Sequence, residues 1–148
     1  MLVKDIMTCG ARTVTEQTPV LEVVSLMCLY GYSGLPVVED GELAGFIAEK
    51  DILAQLFPSV DEIMEGMTSV NFLDKVHEYE SITSKVVADF MTRGVLSVSP
   101  DMPILKAAIV MTNKRFRRIP VAEGKKLIGM LSLGDIHKAI FLRSLTSD

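Results

Sequence analysis

The chain is expected to fold as a mixed α/β (α+β) protein: two tandem β-α-β-β-α repeats packed sheet to sheet about a pseudo-two-fold axis, with a helical insert between them. Three observations predict this. First, the chain repeats itself. Val3-Lys4-Asp5-Ile6-Met7-Thr8 returns as Val87-Ala88-Asp89-Phe90-Met91-Thr92, and the offset of 84 continues without a gap to Phe57 and Phe141, with 17 identities in 55 aligned pairs; composition alone gives roughly 6%. Second, the hydrophobic pattern inside each copy changes between strand and helix periods in the same order. Third, one copy is too small to bury its own apolar faces well, and a pair solves this. The expected divisions are 1–57 for the first repeat, 58–84 for the insert and 85–148 for the second repeat.

The elements follow in order. Arg12 to Val14 and Leu96 to Val98 read as short β-prone pieces. Pro19 and Pro103 mark helix starts, where the missing N–H does little harm. Val20, Leu21, Val24, Met27 and Cys28 then recur at i, i+1, i+4, i+7 and i+8, one helical face, repeated by Ile104, Leu105, Ala108 and Met111. Leu35 to Glu39 and Leu43 to Ala48 are apolar and β-prone, joined by Asp40-Gly41, a strong two-residue hairpin signal. Glu123-Gly124-Lys125 does the same in the second copy. A last helix is expected over Glu49 to Phe57 and over Leu133 to Leu145. In the insert, Asp61 to Glu65 and Phe72 to Val76 read as one or two acidic amphipathic helices broken near Gly66. This stretch is expected to pack onto the pair or to form a dimer contact.

Composition removes several functional classes. With 148 residues, 49% of them apolar and 23% charged, the chain is neither disordered nor long enough in any apolar run to cross a membrane. Two cysteines, Cys9 and Cys28, are too few for a disulfide scaffold or a cysteine zinc site. With no signal-peptide layout at Met1 to Asp5, a reducing cytoplasm is the expected setting. His77 and His137 stand 60 residues apart without metal-ligand spacing, so no metal is expected. There is no P-loop, no Gly-x-Gly-x-x-Gly and no Gly-x-Ser-x-Gly, and the chain is read as no enzyme. A net charge of −4 argues against general nucleic-acid binding, but the charge is divided. Residues 1–86 carry 5 Lys+Arg against 14 Asp+Glu, and residues 87–148 carry 10 against 5. That split points to an anionic ligand for the second half, or to two solvated surfaces.

The repeated Asp-Ile-Met-Thr or Asp-Phe-Met-Thr, the Leu-Pro-Val-Val or Ile-Pro-Val-Ala strand, and the Gly-x-x-x-x-x-Asp-Ile element at Gly45 to Ile52 and Gly129 to Ile136 resemble the CBS domain pair, or Bateman module. The resemblance covers everything but the insert and the last residues. It implies a regulatory module whose clefts between repeats bind adenosine ligands: AMP, ADP, ATP or S-adenosylmethionine. It also implies a homodimer, commonly a flat disc, and a regulated partner protein. A structural dimerisation protein with vestigial clefts is the alternative.

The residues themselves agree best in the second repeat. Ser132-Leu133-Gly134-Asp135 lies where a strand passes into a helix, whose N-terminal N–H groups suit phosphate. Asp135 can accept from both ribose hydroxyls, and Ser132 can donate to phosphate or ribose. The same two residues also read as an ordinary helix cap. The resemblance assigns adenine to the segment around Ile119 and Pro120 and to the short strand at Ser97 and Val98; core packing is the other reading. Arg118, last of the cations in Lys114-Arg115-Phe116-Arg117-Arg118, is the first choice to reach a phosphate, with Arg117 on the opposite face by alternation. The first repeat keeps Asp51 but has Ala48 in place of Ser132, Glu49 in place of Leu133, and no cations in Gly31-Tyr32-Ser33-Gly34. One anionic site per chain is expected, while the first cleft, with Asp51 as its candidate ribose contact, should favour an uncharged ribose-type ligand, bind weakly or be empty.

Overall fold

Both repeats fold in the expected order, and the computed structural model describes residues 1–57 and 71–146 of the chain. The helices are α1 (Val3–Ile6), α2 (Val20–Tyr30), α3 (Glu49–Leu53), α4 (Phe72–Thr83), α5 (Ile104–Lys114) and α6 (Leu133–Thr146). The strands are β1 (Gly34–Glu39), β2 (Glu42–Ala48), β3 (Thr92–Arg93), β4 (Arg118–Glu123) and β5 (Lys126–Ser132), and a 3-10 turn spans Val87–Asp89. The expected helix over Asp61 to Glu65 and its break near Gly66 fall outside the described residues.

Local chemistry explains most boundaries. Pro19 and Pro103 sit one place before α2 and α5, in extended conformation at φ −61° and −58°, so each helix begins without losing a bonded N–H. Asp40 and Gly41 join β1 to β2 with φ 52° and 80°, the two left-handed positions of a type I′ turn. The second hairpin turns with only Gly124 at positive φ (61°), and a register shift at Val121/Ala122 absorbs the difference. Gly31 closes α2 at φ 75°, whereas Arg115 closes α5 at φ 58°, a left-handed placement that costs an arginine roughly 1–2 kcal/mol.

The sequence reading needs four corrections. The buried stripe of α2 is Val20, Val23, Val24, Leu26 and Met27, while Leu21 is 59% exposed and Cys28 lies on the surface. In α5 the buried residues are Ile104, Ala107 and Met111, and Leu105 is outside. A residue at i+1 lies 100° from its neighbour, so a helix packed along i, i+3, i+4 and i+7 turns it to solvent. The first-repeat closing helix stops at Leu53 rather than Phe57. The pieces at Val14 and Val98 are single parallel bridges, to Val37 and Val121, rather than strands.

The compact units do not follow chain order. One consists of residues 1–12, 40–43 and 95–148; the other consists of 13–39 and 44–94. Each sequence repeat therefore sends its opening segment to the unit built on the other repeat. In the first unit, Val3 is fully buried with Ala107, Met111, Ile119, Leu131 and Ile136, and Val3 N donates to Met102 O at 2.8 Å. Thr8 and Met130 exchange N–H···O bonds of 2.8 and 2.9 Å across an antiparallel bridge. The hairpin tip contributes Glu42, paired with Lys126. In the other unit, Val87 is fully buried with Val20, Val23, Leu35, Val37 and Ile47, and β3 pairs with β2 through Gly45↔Arg93 and Phe46↔Thr92. Arg93 also pairs with Glu16.

The matched Met-Thr and Gly motifs meet at these bridges. A Cβ on Gly129 would come 2.7 Å from the Thr8 carbonyl oxygen and 3.2 Å from Met7 Sδ; one on Gly45 would collide with the Thr92 carbonyl and the Met91 methyl. Both glycines exist to let the opening segment approach the strand. Helix α4 of the insert packs against α2 in the same unit, with Ile82 in the core and Tyr79 partly buried beside it. Burial raises the Tyr79 phenol above its ordinary 10.0, and the neighbouring Cys28 and Glu49 add to the effect.

Candidate functional site

All the second-repeat candidates fall in one compact unit, the one built from 1–12, 40–43 and 95–148. Strand β5 ends at Ser132 and α6 begins at Leu133 without an intervening residue. Asp135 N donates to Ser132 Oγ at 3.0 Å, and Ser132 N donates to Asp135 Oδ2 at 3.3 Å. This is a reciprocal capping box, so the cap reading of these two residues is physically realised. It also fixes both side chains at the helix start. Asp135 Oδ1 has no protein partner among the described residues. Both residues are partly exposed.

Arg118 is the direct cross-strand partner of Ser132 in the antiparallel β4–β5 pair, and Pro120 is the partner of Met130. Directly opposed residues project to the same side of a sheet, so Arg118, Pro120, Met130 and Ser132 share one face. Arg118 is exposed and has no ion-pair partner among the described residues. The intervening residues Ile119, Val121, Gly129 and Leu131 take the other face, where Ile119, Val121 and Leu131 are fully buried. Sequence reasoning passed over Met130, although its parity with Ser132 along β5 was there to be read. Arg117, just before the strand, is exposed, and its carbonyl accepts from Leu133 N at 2.9 Å, tying the cation-rich loop to the head of α6.

Pro120 is buried on the site face, and two further candidates belong to the core instead. The side chains of Ile119 and Val98 are 0% and 2% exposed and pack in the interior. The backbone of Val98 is also committed: its N–H donates to Pro120 O at 3.0 Å and its carbonyl accepts from Ala122 N at 2.9 Å. Their contribution is to hold Ser97 and Pro120 in register, and Ser97 remains partly exposed.

Asp51 belongs to the other compact unit. Its Oδ2 accepts from Ala48 N at 2.9 Å, half of the box seen in the second repeat, because Ala48 has no hydroxyl to return the bond. Glu49 N donates to Ser33 O at 3.0 Å, the counterpart of the Leu133–Arg117 bond. Asp5 and Asp89 cap the two opening segments likewise, accepting from Leu2 N at 2.7 Å and Val86 N at 3.1 Å. An aspartate at this position is thus a recurrent cap in the chain; only at Asp135 does it stand beside a hydroxyl and an exposed arginine. Among the described residues, no three His, Cys, Asp or Glu side chains gather as metal ligands, and no helix is long and apolar enough to cross a membrane.

The CBS domain family model matches residues 3–57 and 87–142, most of the chain and both repeats. The chain belongs to the CBS-domain family. As a CBS-domain pair it is 32% identical to the uncharacterized protein MJ1426 of Methanocaldococcus jannaschii, over 95% of this chain and 91% of that one. Among solved structures, CBSX2 of Arabidopsis thaliana, itself a CBS-pair protein, matches with a TM-score of 0.80 at 27% identity, covering 99% of this chain and 98% of that one. CBSX2 in complex with AMP matches with a TM-score of 0.75 at 28% identity, over 97% and 98% of the two chains. The CBS domain pair of protein MJ0100, in complex with 5-methylthioadenosine and S-adenosyl-L-methionine, shares the fold with a TM-score of 0.67 at 21% identity, over 95% and 99%.

Proposed function

We propose that this CBS pair is a regulatory, non-catalytic module that binds an adenosine ligand carrying phosphate, AMP foremost, at the second-repeat site. The observation that carries the reading is the set Arg118, Ser132 and Asp135. An exposed guanidinium stands directly across from a hydroxyl at a helix start, and a capped carboxylate keeps one oxygen for a ribose diol. A guanidinium fork suits phosphate oxygens and disfavours the positive sulfonium of S-adenosylmethionine, so phosphate-bearing nucleotides rank above it. The binding of AMP by CBSX2 supports the same choice. The site and the Thr8 bridge share β5, at Ser132 and Met130. A ligand that favours one seating of the opening segment over another would pass its presence to a regulated partner in that way.

The structural reading, a dimerisation protein with vestigial clefts, has one observation in its favour. Ile140, Phe141, Leu142 and Leu145 of α6 are all exposed, and an apolar helix surface of this kind suits a second copy. Ile136, on the same helix, lies in the core at 2% exposure.

Thermal melting with AMP, ADP, ATP and S-adenosylmethionine in turn separates the readings. A ligand at 100 times its Kd adds about 2.7 kcal/mol, which for this chain raises Tm by roughly 5–10 °C. Stabilisation by the nucleotides above that by S-adenosylmethionine is the expected result. No shift with any of the four leaves the structural reading.

A further inference from the structure

We infer that the ring of Phe46 closes the first-repeat counterpart of the site, occupying the room that the Arg118 side chain uses in the second repeat. The inference rests on the adenosine reading above for what the second site binds. The 84-residue offset sets Gly34 against Arg118, Phe46 against Met130 and Ala48 against Ser132. Phe46 and Ala48 share a face of β2 by the two-residue period of a strand. A Cβ added at Gly34 would stand 2.9 Å from Phe46 Cζ, closer still to Cε1, and 3.2 Å from the Ile47 carbonyl oxygen. The aromatic ring therefore lies where a side chain at position 34 would begin.

Gly34 is not among the residues at positive φ, so its backbone makes no demand for glycine. Space makes the demand. Gly34 is buried and Phe46 partly so, which means the ring is seated against the strand. The other substitutions agree in direction. Ala48 supplies no hydroxyl, Glu49 sets a negative charge at the start of α3, and residues 31–39 contain no Lys or Arg. Loss of the cations alone would leave an open slot for an uncharged nucleoside; Phe46 fills it. Phe46 is thus the residue that limits the chain to one adenosine ligand.

Two measurements test this. Without ligand, Gly34→Ala should lower Tm by roughly 4–10 °C, because the new methyl and the ring overlap. Phe46→Leu should return most of the loss in the double variant. A neutral Gly34→Ala overturns the inference whatever the ligand. Calorimetric titration of AMP should give one site per chain in the wild type and two in Gly34→Arg/Phe46→Met/Ala48→Ser/Glu49→Leu, which transplants the second-repeat set and removes the opposing charge. Two sites in the wild type, or one in the folded quadruple variant, also overturns it. If the quadruple variant fails to fold, Phe46→Met/Ala48→Ser titrated with adenosine replaces it, with two sites expected and one overturning. No AMP bound by the wild type refutes the adenosine reading, and the Gly34–Phe46 cycle then still decides the seating of the ring.

Discussion

Asp135→Ala should remove most of the rise in Tm that AMP produces, while Asp51→Ala should leave it nearly intact. The two aspartates make the comparison a controlled one. Each accepts a backbone hydrogen bond at the start of its helix, from Ser132 N and from Ala48 N, so each substitution loses a cap worth about 1 kcal/mol. What differs is the company each keeps. Asp135 stands with Ser132 and Arg118, and Asp51 with Ala48 and Glu49. Hydrogen bonds from a ribose diol to a carboxylate are charge-assisted, at about 1.5–3 kcal/mol each. Loss of both should weaken AMP by about a hundredfold or more, which at 100 times the wild-type Kd cuts the shift to well under half. Basal Tm should fall by similar amounts in both variants. Equal loss of the ligand-dependent shift would contradict a site confined to the second repeat.

Gly129→Ala should be among the most destabilising single methyl additions in the chain, at about 1–3 kcal/mol, or roughly 3–10 °C in Tm. The reason is what the methyl meets. At 2.7 Å its neighbour is the Thr8 carbonyl oxygen, a backbone atom held by its own bond from Met130 N, and no rotamer change relieves the overlap. The opening segment must lift from β5, exposing Val3. Hydrogen exchange at Thr8 N–H should quicken with the fall in Tm. Gly45→Ala should behave alike through Thr92. A melting point within 2 °C of wild type for both would refute the seating of the opening segments on the strands.

How legible was this in the sequence? The repeat, its element order and the first hairpin turn were, because each rests on a local signal: Asp40-Gly41 admits few other turns, and the prolines before α2 and α5 end whatever precedes them. The helix faces were half legible. An i, i+1, i+4 pattern cannot say which of Leu21 and Val23 faces in, since both are apolar and only packing decides. The exchange of opening segments was not legible at all. It depends on the two-bond Thr8–Met130 bridge and on β3, a strand of two residues, which leave no periodicity to read. The glycines were a clue, for Gly45 and Gly129 recur where strands continue without a turn, and a strand glycine invites a close neighbour.

At the site, sequence alone left Ser132 and Asp135 divided between cap and ligand. The structure shows a cap that leaves an oxygen available, so the two roles are compatible. Val98 and Ile119 could not be sorted from sequence because a β-strand beside a site has one face in the core, and their register with Leu131 and Pro120 was needed to say which. Phe46 over Gly34 is visible in the repeat alignment only afterwards. A large ring on one position and a missing side chain on its neighbour replace the Met130 and Arg118 of the other copy.

The most direct test is a crystal structure grown with saturating AMP. The account predicts one AMP per chain, its ribose hydroxyls within hydrogen-bond distance of Asp135 and its phosphate against Arg118 and the head of α6, with Phe46 still seated over Gly34. AMP bound at residues outside this set, or none bound at saturation, would contradict it.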